Sequence, residues 1–326
     1  MRFFNTEGPV RPDDHYTLPP LQRWDLEAVL TLIEQKKYFL LHAPRQTGKT
    51  SCLLALAEYL KRAGRYRAVY ANLEPAQAAR EDVTMGMTAV VEQIARGARD
   101  QLANRTATDL AERVITRSSG TTMVEEFLTQ WRTRSSLPTV LLLDEVDALV
   151  GDTLISLLRQ LRAGYPKRPS QFPNTVLLCG VRDLRDYRIH ASSEKAVITG
   201  GSAFNIKAES LRLGDFIESE VRALLQEHTQ ETGQAFTPDA LDQVWTLTMG
   251  QPWLVNALAY EVCFEMREGR DRSQPLTVAM IEQAKENLIL RRVPHLDSTG
   301  RQVAGRSGAA GDRTDAGRHG LGGSPR

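Results

Sequence analysis

The sequence predicts an α/β fold: a mainly parallel sheet covered on both faces by helices, followed by a second domain made only of helices. Three observations carry this. Short apolar runs, YFLLH (Tyr38 to His42), TVLLL (Thr139 to Leu143) and TVLLCGV (Thr175 to Val181), alternate with stretches whose apolar residues recur at helical spacing. Strands separated by helices need crossover connections and therefore pair in parallel. A Gly-Lys-Thr loop stands directly between the first of these strands and a helix, and beyond Leu213 the strand signal ends.

Taken in order, Met1 to Pro20 holds four prolines and two adjacent aspartates, so residues 1–20 read as an extended, irregular lead-in. Leu26, Val29, Leu30 and Ile33 then mark a first amphipathic helix before the strand Tyr38 to His42. A helix from Thr50 to about Arg62 has Leu53, Leu54, Leu56, Ala57 and Leu60 inward, with Gly64 as its stop. Ala68 to Asn72 is the next strand, and two or three helices fill Glu81 to Arg134. After the strand at Thr139 comes a helix with Leu154, Leu157, Leu158 and Leu161 on one side, then the strand at Thr175. Residues 21–212 form this α/β domain. Four helices follow in residues 213–296, marked by Phe216, Val221, Leu224 and Leu225, then Leu241, Val244 and Leu247, then Leu254 to Met266, then Val278 to Leu290. Residues 297–326 are rich in Gly and Arg and too poor in aliphatics to bury a core, so disorder is expected. Such a tail is open to RNA binding but lacks interleaved aromatics; a frame-shifted or degraded C-terminus is the preferred account of the abrupt change.

Composition excludes several classes. The 326 residues are 41% hydrophobic and 25% charged, values of a folded chain. Lys and Arg total 41 against 40 Asp and Glu, a net charge of +1, which argues against a protein built to coat nucleic acid. Cys52, Cys179 and Cys263 lie far apart in apolar stretches, with neither disulfide nor zinc spacing, which fits a reducing cytosol. No apolar run is long enough for a membrane span, and the N-terminus lacks signal-peptide character. The six histidines show no metal-ligand pairing, and no G-x-S-x-G elbow is present. Trp24, Trp131 and Trp245 read as core or interface residues.

Two motifs carry chemistry. APRQTGKT, Ala43 to Thr50, matches the phosphate-loop pattern G-x-x-x-x-G-K-[ST] except that Ala43 replaces the first glycine. Gly48 lets consecutive N–H groups turn inward, and the following helix adds its positive N-terminal dipole. Lys49 places an ammonium on β- and γ-phosphates, and Thr50 offers a hydroxyl to Mg²⁺; Ser51 is its neighbour, not the metal ligand. The predicted nucleotide-binding set is Ala43, Pro44, Arg45, Gln46, Thr47, Gly48, Lys49, Thr50 and Ser51. TVLLLDEVD, Thr139 to Asp147, ends an apolar strand in carboxylates, a poor choice for stability unless they meet a cation. Asp144 is expected to hold Mg²⁺, Glu145 to act as general base, and Asp147 to cap the following segment. Arg182, just past the strand TVLLCGV, is a candidate contact for the γ-phosphate; an ion pair with Asp183, Asp186 or Asp144 is the alternative. Gly250 and Pro252 break the chain just before a helix whose apolar face begins with Trp253 and Leu254.

APRQTGKT, LLLDEVD, GVRD and TMGQPWLVNALA together resemble the prokaryotic AAA-like P-loop ATPases, which belong to a wider class in which STAND signalling ATPases and origin-recognition ATPases also fall. The resemblance covers Phe3 to Arg292. It implies a P-loop NTPase three-layer sandwich with strand order 5-1-4-3-2 and an all-helical lid, with ATP and Mg²⁺ as ligands. It further implies that Arg182 senses the γ-phosphate, that Pro252 meets the adenine, and that Tyr16 to Pro20 pass near the base. The expected activity is slow ATP hydrolysis as a molecular switch, with ATP and ADP, an unidentified protein effector and a homo-oligomer as partners and no membrane. The alternative is an ATP-dependent DNA-binding or loading protein. The chain departs from the family in having no winged helix or repeat array after the lid, and a second arginine finger is unassigned.

Overall fold

The computed structural model describes residues 1–183, 188–190, 197–199 and 205–291. Asp186 and the tail from 297 lie outside the described residues. The chain opens with two-residue strands β1 (Phe3–Phe4) and β2 (His15–Tyr16), then α1 (Leu26–Glu34), β3 (Tyr38–His42), α2 (Lys49–Arg62) and β4 (Arg67–Asn72). Three helices follow, α3 (Val83–Leu102), α4 (Thr106–Arg117) and α5 (Met123–Arg132), then β5 (Thr139–Asp144), α6 (Gly151–Gly164) and β6 (Thr175–Gly180). A short antiparallel pair, β7 (Arg188–His190) and β8 (Val197–Thr199), precedes β9 (Lys207–Arg212). The helical region holds α7 (Glu218–Thr232), α8 (Pro238–Thr248), α9 (Pro252–Tyr260), which runs into a π-helical turn at Glu261–Glu265, and α10 (Val278–Leu290).

Five strands pair in the order β4-β5-β6-β3-β9, every pairing parallel. Counted along the sequence this is 5-1-4-3-2, as expected. Side chains alternate between the two faces, as a strand's period of two requires. Leu40, Leu141, Leu143, Val176 and Leu178 join the core under α3 to α6. Phe39, Leu41, Val140, Leu142, Leu177 and Cys179 join the core under α1 and α2. Both faces are therefore covered, and the strands read as unbroken apolar runs for that reason. β9 was not placed from sequence: KAESLR is mostly polar because, among the described strands, it pairs only with β3, at the sheet's edge, where charge also discourages pairing with other chains.

The helix starts are written in side chains. Asp25 accepts from the Ala28 N–H at 2.9 Å, and Asp82 accepts from the Met85 N–H at 2.9 Å. In the helical region, Pro238 and Pro252 occupy first turns behind caps supplied by Thr237 and Gln251. Residues 81–134 hold three helices, and Trp131, 1% exposed, stacks on Phe127 in the core they build. Cys52, Cys179 and Cys263 are free and buried. No helix among the described residues is long and apolar enough to cross a membrane.

The lead-in differs from the expectation of an irregular segment. β1 and β2 pair in parallel, and Phe4 and Tyr16 are buried in the core of the helical region beside Val221, Leu225 and Val262. Arg2 adds ion pairs to Glu227 and Glu231 on α7. His228, fully buried, has Nδ1 3.3 Å from the Tyr16 hydroxyl and Nε2 3.0 Å from Gln234 Oε1. Gln234 Oε1 can only accept, so its 3.0 Å bond requires the proton on Nε2 and leaves Nδ1 to accept from the Tyr16 O–H; Arg272 Nη1, a donor, lies farther from Nε2, at 3.4 Å.

Burial, reinforced by the nearby Arg272 charge, lowers the His228 pKa below its ordinary 6.5, although the Gln234 bond opposes this. The unfolded chain thus binds the proton first, so stability is lost as pH falls below about 6.5 toward the lowered value. Denaturation measured across pH 5–7 should show this slope, and His228→Gln should reduce it, leaving the part from His15, whose pKa burial also lowers.

Candidate functional site

The phosphate-loop segment folds as its residue types dictate. Gly48 stands at the start of α2 with φ 87°, a left-handed conformation natural to glycine, and Gln46 shares it at φ 61°. Ala43 is fully buried, is not among the positive-φ residues, and bonds to the Gly180 carbonyl at 3.2 Å. That position therefore needs no glycine. Thr47 Oγ1 donates to the Pro44 carbonyl, closing the loop at 2.9 Å. The Lys49 ammonium, 6% exposed, donates to the carbonyls of Ala43 and Pro44 at 2.9 and 2.8 Å. Pro44 and Arg45 are exposed at the rim.

The two motifs meet at Asp144. Its carboxylate, 1% exposed, accepts the Thr50 hydroxyl at 2.6 Å and the Tyr70 hydroxyl at 3.1 Å on Oδ2, and the Glu145 N–H at 3.0 Å on Oδ1. A hydroxyl and a buried carboxylate converging beside an inward-turned loop fit a hard divalent cation, so Thr50 and Asp144 are the residues that would hold Mg²⁺. Glu145 follows directly, in a left-handed conformation at φ 53° that lifts it off the strand line. Burial and the adjacent Asp144 charge raise its pKa, with Lys49 and Arg45 opposing.

Asp147 does not cap the next segment. Its Oδ2 accepts the Val181 N–H at the end of β6, while Oδ1 is buried without a hydrogen-bond partner among the described residues. Arg182 is the next residue after Val181, exposed at the same carboxyl edge.

A cavity of about 400 Å³ adjoins the loop. Gln46, Gly48 and Ser51 line it from the loop side, Pro252 and Asn256 from α9, and Thr17, Leu18 and Pro20 from the lead-in. Tyr16, expected with these, points instead into the helical core. The lead-in is tied down on both sides: the Val10 N–H donates to Ser51 Oγ at 3.2 Å, and Trp253 Nε1 donates to the Thr6 carbonyl at 3.0 Å. Arg23, also lining this cavity, went unnoticed in the sequence. Its Nη1 donates to the Thr47 carbonyl and its Nη2 to the Gly214 carbonyl at 2.6 Å, and its guanidinium lies 4.6 Å from the centre of the Phe216 ring. Burial lowers its pKa. Tyr70 was missed too, since nothing in RAVYAN distinguishes a core tyrosine from one that meets a carboxylate.

The five-stranded 5-1-4-3-2 sheet, with this loop and this carboxylate pair at its carboxyl edge, is a P-loop NTPase fold. Residues 33–187 match the family model described as an AAA domain, so this segment is an AAA-like P-loop domain. None of the curated proteins matches it by sequence. Among solved structures it is similar to the Walker-type ATPase PABY2304 of Pyrococcus abyssi, with 14% identity, 92% of this chain and 80% of that chain covered, and a TM-score of 0.58. It is also similar to the Aeropyrum pernix ORC1 protein solved in complex with DNA, with 17% identity, coverage of 85% and 68%, and a TM-score of 0.52. Cdc6p from Pyrobaculum aerophilum gives 17% identity, coverage of 77% and 62%, and a TM-score of 0.50. At these identities the likeness is one of fold.

Arg23→Gln removes the contacts to both carbonyls and the ring. It should cost about 2 kcal/mol of folding stability, the scale of lost hydrogen bonds from a charged group, read by chemical denaturation.

Proposed function

We propose that the chain binds Mg·ATP between the carboxyl edge of the sheet and the helical lid, and hydrolyses it slowly as an AAA/STAND-like molecular switch. The observation that supports this most is the contact of Thr50 with Asp144 at 2.6 Å, joining two segments 94 residues apart beside the Lys49 ammonium. In this reading the N–H groups of residues 46–50 and the start of α2 cradle the phosphates. Lys49 leaves the loop carbonyls to neutralise the β- and γ-oxygens. Mg²⁺ held through Thr50 and Asp144 would supply positive charge to the same oxygens. Glu145, whose pKa is raised, accepts the proton of an attacking water. Arg182 compensates charge on the γ-phosphate. Pro252 and the lead-in from Thr17 to Pro20 receive the base.

DNA binding or loading is the second reading, favoured by the fold shared with the ORC1 protein solved with DNA. The net charge of +1 weighs against it. Affinity for duplex DNA that falls steeply with salt would support that reading, because phosphate contacts release counterions.

The deciding experiment compares wild type, Lys49→Ala and Glu145→Gln for ATP affinity and turnover at several protein concentrations. Lys49→Ala should bind no ATP at millimolar nucleotide. Glu145→Gln should keep affinity while turnover drops by about a hundredfold, the scale of a lost general base. Intact binding in the first or intact turnover in the second overturns the corresponding role. Turnover per molecule that rises with concentration would indicate a homo-oligomer.

A further inference from the structure

Three motif-bearing segments converge on the peptide at Gly180–Val181. The Ala43 N–H, opening the phosphate loop, donates to the Gly180 carbonyl at 3.2 Å. Asp147, from the turn after the two carboxylates, accepts the Val181 N–H. Arg182 leaves this junction as the next residue. The junction has no spare room. A Cβ on Gly180 would lie 2.4 Å from Asp147 Oδ1 and 3.1 Å from its Cγ, so the carboxylate reaches Val181 only because residue 180 lacks a side chain.

The arrangement of Asp147 is costly for a merely structural contact. Oδ1 is buried with no hydrogen-bond partner among the described residues, and a buried, half-satisfied carboxylate opposes folding. The charge does face cations, since Lys49, Arg45 and Arg182 each favour its ionised form. A residue with two backbone-linked neighbours in the site, and no cap to make, is placed to orient one of them.

We infer that Asp147 is a positioning residue for Arg182: by fixing the backbone at Val181 it presents the guanidinium to the terminal phosphate, so that ATP is distinguished from ADP. This rests on the ATP-binding reading and adds to it the element that couples the strand bearing the general base to the one bearing the phosphate contact.

The test measures ATP and ADP dissociation constants on the full chain for wild type, Arg182→Ala, Asp147→Ala, Asp147→Asn and the Asp147→Ala/Arg182→Ala double variant. ATP over ADP preference should fall about tenfold in Arg182→Ala, a difference of about 1.4 kcal/mol. Asp147→Ala should lose a similar factor, and the double variant no more than either alone, because the two act as one unit. ADP affinity should stay within about threefold throughout, and Asp147→Asn should retain most of the preference, since its amide oxygen accepts the same N–H. Gly180→Ala, which displaces the carboxylate without removing it, should mimic Asp147→Ala and serves if that variant does not fold. A preserved preference in Asp147→Ala alongside its loss in Arg182→Ala overturns the inference. So does loss of preference in Asp147→Asn, or additive losses in the double variant. An unchanged preference in Arg182→Ala removes the role of Arg182 and the inference with it, whereas absence of any nucleotide binding in wild type refutes the ATP reading itself.

Discussion

Parallel pairing of β3 with both β6 and β9 is the constraint from which the site follows. The chain enters the sheet in its interior, so the connection after β3 runs one way and the connections after β5 and β6 the other. The carboxyl ends of β3, β5 and β6 are thereby left side by side, and the loop at Ala43 can touch Gly180 directly. Everything polar in the site hangs from this register. Asp144 lies opposite Asn72 on the neighbouring strand, which brings Tyr70 from β4 within reach of its carboxylate. A one-residue slip in β5 would turn Asp144 to the other face and separate it from Thr50.

Charge in this region is arranged in layers. Asp144 is satisfied three times over by hydroxyls and an N–H, so its geometry is fixed before any ligand arrives. Glu145 and Asp147, on either side of the turn, are half-buried with raised pKa values, and Lys49 and Arg45 oppose both shifts.

Much of this was legible in the sequence because the relevant signals are local. Apolar runs such as TVLLL mark strands buried on both faces, and a glycine, lysine and hydroxyl between strand and helix mark a phosphate loop wherever they occur. The fifth strand was illegible because an edge strand obeys a different rule: KAESLR is polar where its neighbours are apolar. Phe4 and Tyr16 looked like residues of an irregular segment because prolines and aspartates surround them, while the helices they pack on lie more than 200 positions away. Arg23 and Asp147 were misjudged or missed for the same reason. Their roles reside in backbone groups of distant segments, at Thr47, Gly214 and Val181, and backbone groups leave no trace in residue identity.

The seating of Phe4 and Tyr16 among α7, α9 and the turn after it has a topological consequence. The helical unit is discontinuous: it takes its first strands from residues 3–16 and its helices from 218–290, with the entire sheet inserted between them. A cut at the apparent boundary near residue 213 would not yield two intact halves, because the second would lack its own beginning. Tension applied at residue 3 would load the helical unit first, and the sheet only through the segment that crosses the cavity. The two units are thus fastened by two covalent passages rather than one, and any rotation of one on the other must move both.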